Sequence, residues 1–272
     1  MRNRVPILTY VIAALLVVFF LWPVLYVVFS SFKPASELRM HIPTFFPKDW
    51  TLRNFIHVTQ LGSFQNYILN SLIVAVSSTA LAILINTMAG YALAKFRFKG
   101  DTVILIIILS TIMLPLEVIM IPISRIIRIF GLYNTLWALI IPPAATPAGI
   151  FLMRQFLLTI PDDLIESARI DGASEWRIFY SIIVPNAKPA IATIAIFSFM
   201  WRWNDYVWPL IAIRSPRLYT LQLGISTLGG QYTTDWSSLL AMTTISMVPM
   251  LIVFLIFQRY FVQGTVETGM KG

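Results

Sequence analysis

The sequence contains no cysteine and only two histidines, His41 and His57, among its 272 residues. Without cysteine the chain can form no disulfide, thiolate metal site or cysteine nucleophile. Two histidines supply no HExxH motif, no histidine cluster and no convincing Ser-His-Asp set, which argues against zinc-dependent or hydrolytic chemistry. A phosphate loop of the type GxxxxGK followed by Ser or Thr is also absent. We therefore expect no catalytic residue, metal site or cofactor in this chain.

Charged residues are scarce as well, at 12% of the chain against 58% hydrophobic residues, and the mean hydropathy is +0.78. The apolar residues form runs too long for the core of a soluble domain. A bilayer accepts only helices or closed barrels, and the alternating pattern of barrel strands is missing. We therefore predict an all-α polytopic membrane protein. The net charge of +8 is spread over loops and span ends, which is typical of topology signals and does not indicate nucleic-acid binding.

Six apolar runs approach or exceed the roughly 20 residues that cross about 30 Å of hydrocarbon. They predict six transmembrane helices within one domain, 1–272. The predicted spans are 7–29, 68–94, 102–124, 131–153, 189–212 and 238–262.

The positive-inside rule gives the orientation of these spans. Arg2, Arg4 and the basic cluster at 95–99 favour both termini on the cytoplasmic side. Arg125 and Arg128 favour the opposite orientation. The distribution of Lys and Arg between the two sides predicts cytoplasmic termini and a cytoplasmic polar segment between the fourth and fifth spans. It also predicts external segments before the second and sixth spans.

The stretch 166–185, ESARIDGASEWRIFYSIIVP, is the most polar passage in the C-terminal half. A proline followed by two aspartates predicts a helix at about 162–171, and Gly172 suits its left-handed end. Ser174 can cap a second helix that ends at Pro185. Each charged side chain here would cost about 2.5–3.5 kcal/mol at the bilayer centre, so the two helices must lie outside it. From the residues alone, a generic amphipathic surface segment is the alternative.

The same stretch resembles the ABC-importer permeases. Their cytoplasmic loop carries Glu-Ala-Ala, three residues, Gly, nine residues and Ile-x-Leu-Pro. This chain has Glu166-Ser167-Ala168, then Gly172, then Ile182 to Pro185, with Ser167 and Val184 as departures. Four further segments resemble the smaller permease subunit of the maltose-type, carbohydrate-uptake branch. They are NSLIVA (70–75), GYALAKFRFKG (90–100), FMWRWNDYVWPL (199–210) and FVQGTVETGMKG (261–272).

The resemblance implies a heterodimer of two permease subunits in a bacterial or archaeal inner membrane. Two ATPase subunits would bind ATP and Mg²⁺, and an extracytoplasmic binding protein would deliver a sugar or sugar-like solute. The loop at about 158–188 would be the cytoplasmic coupling loop that docks on an ATPase. The C-terminal tail VQGTVETGMKG (262–272) has three glycines and no apolar period, which predicts an extended segment, and by the resemblance it would reach between the ATPase subunits. The implied coupling residues are Glu166, Ser167, Ala168, Asp171, Gly172, Ile182 and Pro185.

Two places could contribute to the solute path. Glu117 lies between two prolines in a predicted span, where an acid often has a function. Trp203, Asn204 and Asp205 fall in the outer half of the fifth predicted span, and they combine aromatic faces with polar groups that suit hydroxyl-rich ligands. The alternatives are a kinked span with its acid near the outer interface, and an interfacial belt of aromatic residues.

Other functions remain open on the residues alone. An ion-coupled secondary transporter would need acids or histidines within its spans, and only Glu117 and Asp205 qualify. A membrane-embedded enzyme would need a catalytic constellation, and none is apparent. The tetrapeptide LGGQ at 228–231 resembles the signature of ABC ATPases, but without a phosphate loop it predicts no ATPase in this chain.

Overall fold

The computed structural model describes residues 7–61, 63–229 and 234–269, with side chains described as far as Gln258. This part of the chain is helical apart from its turns, bends and one isolated β-bridge between Gly229 and Thr234. The predicted all-α class is confirmed. In chain order the helices are α1 (Ile7–Ser31), α2 (Ala35–Leu38), α3 (Arg53–Gln60), α4 (Phe64–Lys95), α5 (Asp101–Ser110), α6 (Leu116–Ile129), α7 (Trp137–Ile140), α8 (Pro147–Leu158), α9 (Asp162–Ile170), α10 (Glu175–Ile178), α11 (Val184–Asn186), α12 (Lys188–Asn204), α13 (Val207–Ala212), α14 (Leu221–Ser226) and α15 (Trp236–Gly269).

Three helices of the described chain are long and apolar enough to cross a membrane, namely α1, α4 and α15. Three bent helix pairs raise the number to six if each pair forms one span. By length and composition, the described chain therefore holds between three and six candidate spans, against the six predicted. The assignment of residues 1–272 to one domain stays a prediction.

The third predicted span, 102–124, is divided between two helices. After α5 a 3₁₀ turn covers Thr111–Met113, and α6 then departs at 110°. Pro115 has no backbone N–H to continue the helix, and it holds the preceding Leu114 in an extended conformation with ψ 126°. A hydropathy profile does not detect this change of direction because both helices are apolar.

The fourth and fifth predicted spans are broken as well. Residues Trp137–Ala144 and Pro147–Leu158 meet at 43°, so the observed pair begins and ends later than the predicted 131–153. The third bent pair, Glu175–Asn186 and Lys188–Asn204, meets at 78°, and this bend lies just before the predicted span 189–212. The predicted span itself is interrupted further on. In this case α12 ends at Asn204 and does not reach residue 212, because Asp205 is extended with ψ 126°.

The last helix corrects one expectation about the tail. The sequence suggested a span at 238–262 followed by an extended tail, VQGTVETGMKG. In the structure α15 continues as a helix to Gly269. Residues 270–272 lie outside the described part of the chain.

The chain divides into two compact units, of which the first comprises Met1–Gln65 and Gly224–Pro249. Trp22 of α1 stacks on Phe45 with ring centroids 4.0 Å apart, and Phe29 contacts the same ring edge-on. The Asn54 side chain of α3 donates hydrogen bonds to two carbonyl oxygens at the end of α1, at 2.8 Å each. These contacts fold the segment after α1 into short helices, as the sequence predicted.

The second unit comprises Asn66–Leu223 and Met250–Gly272, and it contains the predicted site residues. One apolar cluster joins the end of α4 and parts of α8 and α12 to the short helices α9 to α11. A second cluster joins α6, α7 and α13. The first cluster fixes the coupling segment, and the second holds the segment after the break in the fifth span.

Candidate coupling site and transport path

Helix α9 begins and ends where the local sequence predicts. Pro161 precedes it with ψ 137°, and two aspartates occupy its first turn, where a carboxylate interacts favourably with the helix dipole. Its last residue is Ile170, one position before the predicted end. The pKa of Asp162 lies below its usual value because its carboxylate accepts a hydrogen bond from Lys95.

Gly172 ends α9 in a left-handed conformation with φ +78°. Its N–H donates to the carbonyl of Arg169 at 3.0 Å, and the N–H of Ala173 donates to the carbonyl of Ala168 at 2.9 Å. This pair of bonds is the Schellman arrangement, which satisfies carbonyls at a helix end. A Cβ at position 172 would meet no atom within 4 Å, so a side chain here would strain the backbone without a steric clash.

The second helix of the segment starts with the predicted cap. The Ser174 Oγ accepts a hydrogen bond from the N–H of Arg177 at 3.3 Å. Helix α10 then continues through a π-helical turn, Phe179–Ile183, into α11, which contains Pro185. The sequence predicted the two helices and the hinge between them but not the π-helical turn. We call residues 162–186 the coupling pair.

An ion pair joins the two halves of the coupling pair. The Arg169 Nε donates to the Glu175 Oε1 at 2.7 Å. This hydrogen bond raises the pKa of Arg169 and lowers the pKa of Glu175, so both groups are charged at neutral pH. Both side chains are partly exposed, which limits the stabilisation that one such pair provides.

One face of the coupling pair is buried against the spans. Ile165, Ile178 and Ile183 belong to the same core cluster as Met153 and Leu157 of α8. The rotation of α9 and α10 about their own axes is therefore fixed by apolar packing. The opposite, charged face remains available to another molecule.

The predicted coupling residues divide between this exposed face and its margin. Ala168 and Ile182 are partly buried against the core, and with Asp171 they line a groove that also includes Ala173, Arg177, Ile178 and Ser181. The other predicted residues are exposed, namely Glu166, Ser167, Gly172 and Pro185. The structure thus brings three of the seven residues to one groove.

The coupling pair also exposes apolar side chains that were not predicted from the sequence. Ile170, at the end of α9, is 86% exposed. Trp176 and Tyr180 are also exposed, and their rings stack with centroids 6.1 Å apart. The four-residue spacing of Trp176 and Tyr180 in a charged helix was the available signal. Apolar groups among charges on an exposed surface are typical of a docking surface.

At the break in the fifth span, the predicted path residues have different environments. Trp203 is only 1% exposed and stacks on Phe199 with ring centroids 5.7 Å apart. Asn204 is exposed and donates to the carbonyl of Met200 at 2.9 Å. Asp205 is half-buried, and its Oδ1 accepts from the N–H of Trp208 at 3.2 Å. Trp203 is thus a buried packing residue, whereas Asn204 and Asp205 keep some polar surface accessible. The contact of these three residues with solute stays a prediction.

Glu117 lies elsewhere in the second unit. It is exposed in the first turn of α6, just after the break at Pro115. The kinked segment that the sequence offered as an alternative is therefore present. The proposed contact of Glu117 with solute stays a prediction.

Arg202 is a polar residue of the fifth span whose role the sequence did not suggest. Its Nε donates to the Ser78 Oγ of α4 at 3.2 Å, and its Nη2 donates to the Pro143 carbonyl at 2.7 Å. Pro143 lies in the 3₁₀ turn between α7 and α8. One guanidinium thus joins three elements at the level of the breaks.

The carboxylates and histidines of the described residues suggest no metal centre. Among the residues whose positions are described, no three or more His, Asp or Glu side chains form a group able to hold a metal ion. The tetrapeptide at 228–231 lies partly outside the described residues.

Comparison with known proteins gives one consistent family. The model of the "Binding-protein-dependent transport system inner membrane component" family matches residues 86–267. The arabinooligosaccharides transport system permease protein AraQ of Halalkalibacterium halodurans is 35% identical over 100% of this chain and 99% of that protein. The diacetylchitobiose uptake system permease protein NgcG of Streptomyces coelicolor is 33% identical over 91% of this chain and 82% of that protein.

A solved structure agrees with this result. It is the crystal structure of a bacterial ABC transporter involved in the import of the acidic polysaccharide alginate. The match has a TM-score of 0.84 and 25% identity, and it covers 94% of this chain and 95% of that chain. The chain belongs to the family of binding-protein-dependent transport system inner membrane components, the permease subunits of ABC importers.

Proposed function

We propose that this permease forms half of the membrane path for an oligosaccharide or a related sugar derivative. The similarity to permeases of arabinooligosaccharide, diacetylchitobiose and alginate importers supports a carbohydrate substrate. The polar side chains of Asn204 and Asp205, exposed or half-buried at the break after α12, supply groups that bind hydroxyls. Glu117 is a further candidate contact, and Trp203 holds this wall in place.

The coupling pair is the contact with a separate ATPase subunit. The single observation that carries this proposal is a two-helix element, packed on the ends of the spans through Ile165, Ile178 and Ile183, with a charged and apolar face left exposed. Glu166 supplies charge on that face, and Ile170 supplies an apolar projection. Rigid docking allows closure of the ATPase subunits to move the spans.

Membership of this permease family supports the partners that we propose. Two ATPase subunits bind ATP and Mg²⁺, and this chain holds neither. An extracytoplasmic binding protein delivers the solute, and a second, different permease subunit completes the path. Both termini and the coupling pair lie on the cytoplasmic side of the bacterial or archaeal inner membrane, as the basic residues before α1 and after α4 indicate.

Reconstitution tests this function directly. The parent chain is coexpressed with its candidate partner subunits, purified by a tag on the permease, and placed in lipid vesicles with the binding protein. We expect an ATPase to copurify, and we expect sugar uptake that requires ATP. Uptake driven by an ion gradient without an ATPase would favour a secondary transporter and contradict the proposal.

A charge reversal examines the coupling face in the same vesicles. Glu166→Lys leaves the buried face of α9 intact, so the variant should insert normally and meet its partner permease. We expect weaker ATPase retention or ATP hydrolysis that is uncoupled from uptake. Asp49→Lys, in the segment between α2 and α3, is a matched control because it reverses one exposed carboxylate outside the coupling pair. Equal coupling in both variants would count against a contact at Glu166.

A further inference from the structure

The C-terminal end of α4 is tied to the coupling pair by a buried ammonium group. Lys95 is the last residue of α4, and its side chain is only 3% exposed. Its Nζ donates to the Ile160 carbonyl at 2.6 Å and to the Asp162 Oδ1 at 2.6 Å. Ile160 follows α8 and Asp162 begins α9, so a single side chain connects α4 to the turn that leads into the coupling pair.

A second connection lies one helical turn earlier on α4. The buried Tyr91 donates its hydroxyl hydrogen to the Glu175 Oε2 at 3.0 Å, while the other oxygen of Glu175 accepts from Arg169. Glu175 is the first residue of α10, and Arg169 lies in the last turn of α9. The carboxylate of Glu175 therefore joins three helices.

Aromatic packing holds this second connection in place. The Tyr91 ring lies against Phe179, with centroids 5.8 Å apart, and against Phe96, at 5.3 Å in an edge-on arrangement. The Arg169 guanidinium lies over the Phe96 ring at 5.6 Å. Because the ring of Tyr91 is fixed by neighbours, its hydroxyl is directed at Glu175 without further ordering.

The helices beside the coupling pair are connected to it in different ways. Helix α8 precedes the pair directly along the chain, and α12 follows it across the 78° bend. Helix α4 is distant in sequence from the pair, at 67 residues for Lys95 and Asp162 and 84 for Tyr91 and Glu175. Displacement of the pair would reach α12 through the backbone, but it can reach α4 only through side-chain contacts.

We infer that Tyr91 and Lys95 are positioning residues that make α4 move together with the coupling pair. This inference rests on the proposed function, because it supposes that an ATPase displaces the pair. It adds a second route by which that displacement reaches the solute path. The charges support it, since hydrogen bonds from Arg169 and Lys95 lower the pKa values of Glu175 and Asp162 and keep both carboxylates ionised at neutral pH.

A distance measurement tests the inference. The chain has no cysteine, so spin labels can be attached specifically at Phe98→Cys and Asp163→Cys, two exposed positions on either side of the connection. In the assembled transporter, the label-to-label distance should be the same with and without ATP. In the Tyr91→Phe/Lys95→Met double variant, the distance should change when ATP binds. An ATP-independent distance in both proteins would overturn the inference.

Transport per ATP hydrolysed is the second readout. We expect the double variant to retain its ATPase subunits but to transport about tenfold less per ATP, which equals ~1.4 kcal/mol of coupling free energy. Tyr67→Phe/Lys99→Met is the matched control, with another buried tyrosine of α4 and an exposed lysine. Transport per ATP hydrolysed by this control variant should equal that of the parent. A parent-like ratio in the double variant would contradict the inference.

Single variants keep the test decisive if the double variant fails to assemble. Tyr91→Phe removes one oxygen and preserves the ring packing, so it should assemble and show a smaller loss in the same direction. Lys95→Arg retains the charge and the donors and should preserve most of the ratio, whereas Lys95→Met should not. Equal ratios for Lys95→Arg and Lys95→Met would overturn the inference. Failure of the proposed function would instead appear in the parent chain, as absence of ATP-dependent uptake.

Discussion

The coupling pair and the break after α12 are both polar interruptions in an apolar chain, yet they use their polar groups differently. In the coupling pair, charged side chains such as Glu166 and Asp171 remain exposed while isoleucines face the spans. At the break, Arg202 and Asp205 turn inward and bond to neighbouring elements. The first region is built to meet another molecule, and the second is built mainly to hold helices together.

Backbone chemistry explains part of this difference. The coupling pair ends its first helix with a left-handed glycine and starts its second with a serine cap, so its own backbone groups are satisfied locally. At one break the Pro143 carbonyl is partly buried, and a buried hydrogen bond left unmade is costly. Arg202 satisfies that carbonyl from another helix.

Gly172→Val should produce the largest change in transport. A Cβ at a left-handed position costs about 1–2 kcal/mol, so the second helix should leave the hinge in a different direction. We expect normal insertion, with sugar uptake in reconstituted vesicles lowered about tenfold or more. Gly131→Val is the matched control, since Gly131 also has a positive φ, at 68°, and open space around its Cβ position. Equal losses of sugar uptake in the two variants would show that the coupling pair has no special role in transport.

Arg202→Met should mainly lower stability. The change leaves the partly buried Pro143 carbonyl without its donor, which costs about 1–3 kcal/mol. Thermal unfolding in detergent should shift downward by roughly 2–4 °C for each kcal/mol lost. Arg125→Met, on the exposed side of α6, should leave the unfolding temperature nearly unchanged. A similar temperature for both variants would mean that Arg202 does not hold the broken spans together.

Asn204→Leu and Asp205→Leu separate solute contact from helix packing. If the break also borders the solute path, each change should reduce sugar uptake several-fold at equal membrane abundance and equal ATPase retention. Asn204 gives the clearer test because it is exposed. Its described side-chain contacts are with Met200 and Met250, both in the second unit. Normal uptake in both variants would favour the alternative interpretation, in which this segment is an interfacial belt of aromatic residues.

Deletion of residues 264–272 should have the smallest effect. The tail follows the apolar part of α15, so its removal should leave the protein in the membrane. If the tail reaches between the ATPase subunits, uptake should fall moderately while membrane abundance stays constant. Unchanged uptake would show that the tail has no role in coupling. The coupling pair would then be the remaining proposed contact with the ATPase.

The helices of the coupling pair could be predicted because their signals are local. Prolines, aspartates, Gly172 and Ser174 act within a few residues of their positions in the chain. A kink beside Pro115 could be predicted from the proline, but the 110° change of direction could not, because apolar residues continue through Pro115 while the backbone turns. The partners of Arg202 were missed because Ser78 and Pro143 lie 124 and 59 residues away in sequence. Long-range partners and helix directions are properties of packing, which composition does not specify.

Crosslinking from Ile170 tests the central claim most directly. Ile170→Cys places a unique thiol on the most exposed apolar residue of the coupling pair, and a maleimide with a photoreactive group can be attached there in the assembled transporter. Ile129→Cys on α6, also highly exposed, is the control. We predict that illumination joins the Ile170→Cys chain, and not the Ile129→Cys chain, to an ATPase subunit. Labelling of Ile170→Cys by an impermeant reagent from outside intact cells, with no ATPase crosslink, would contradict the account.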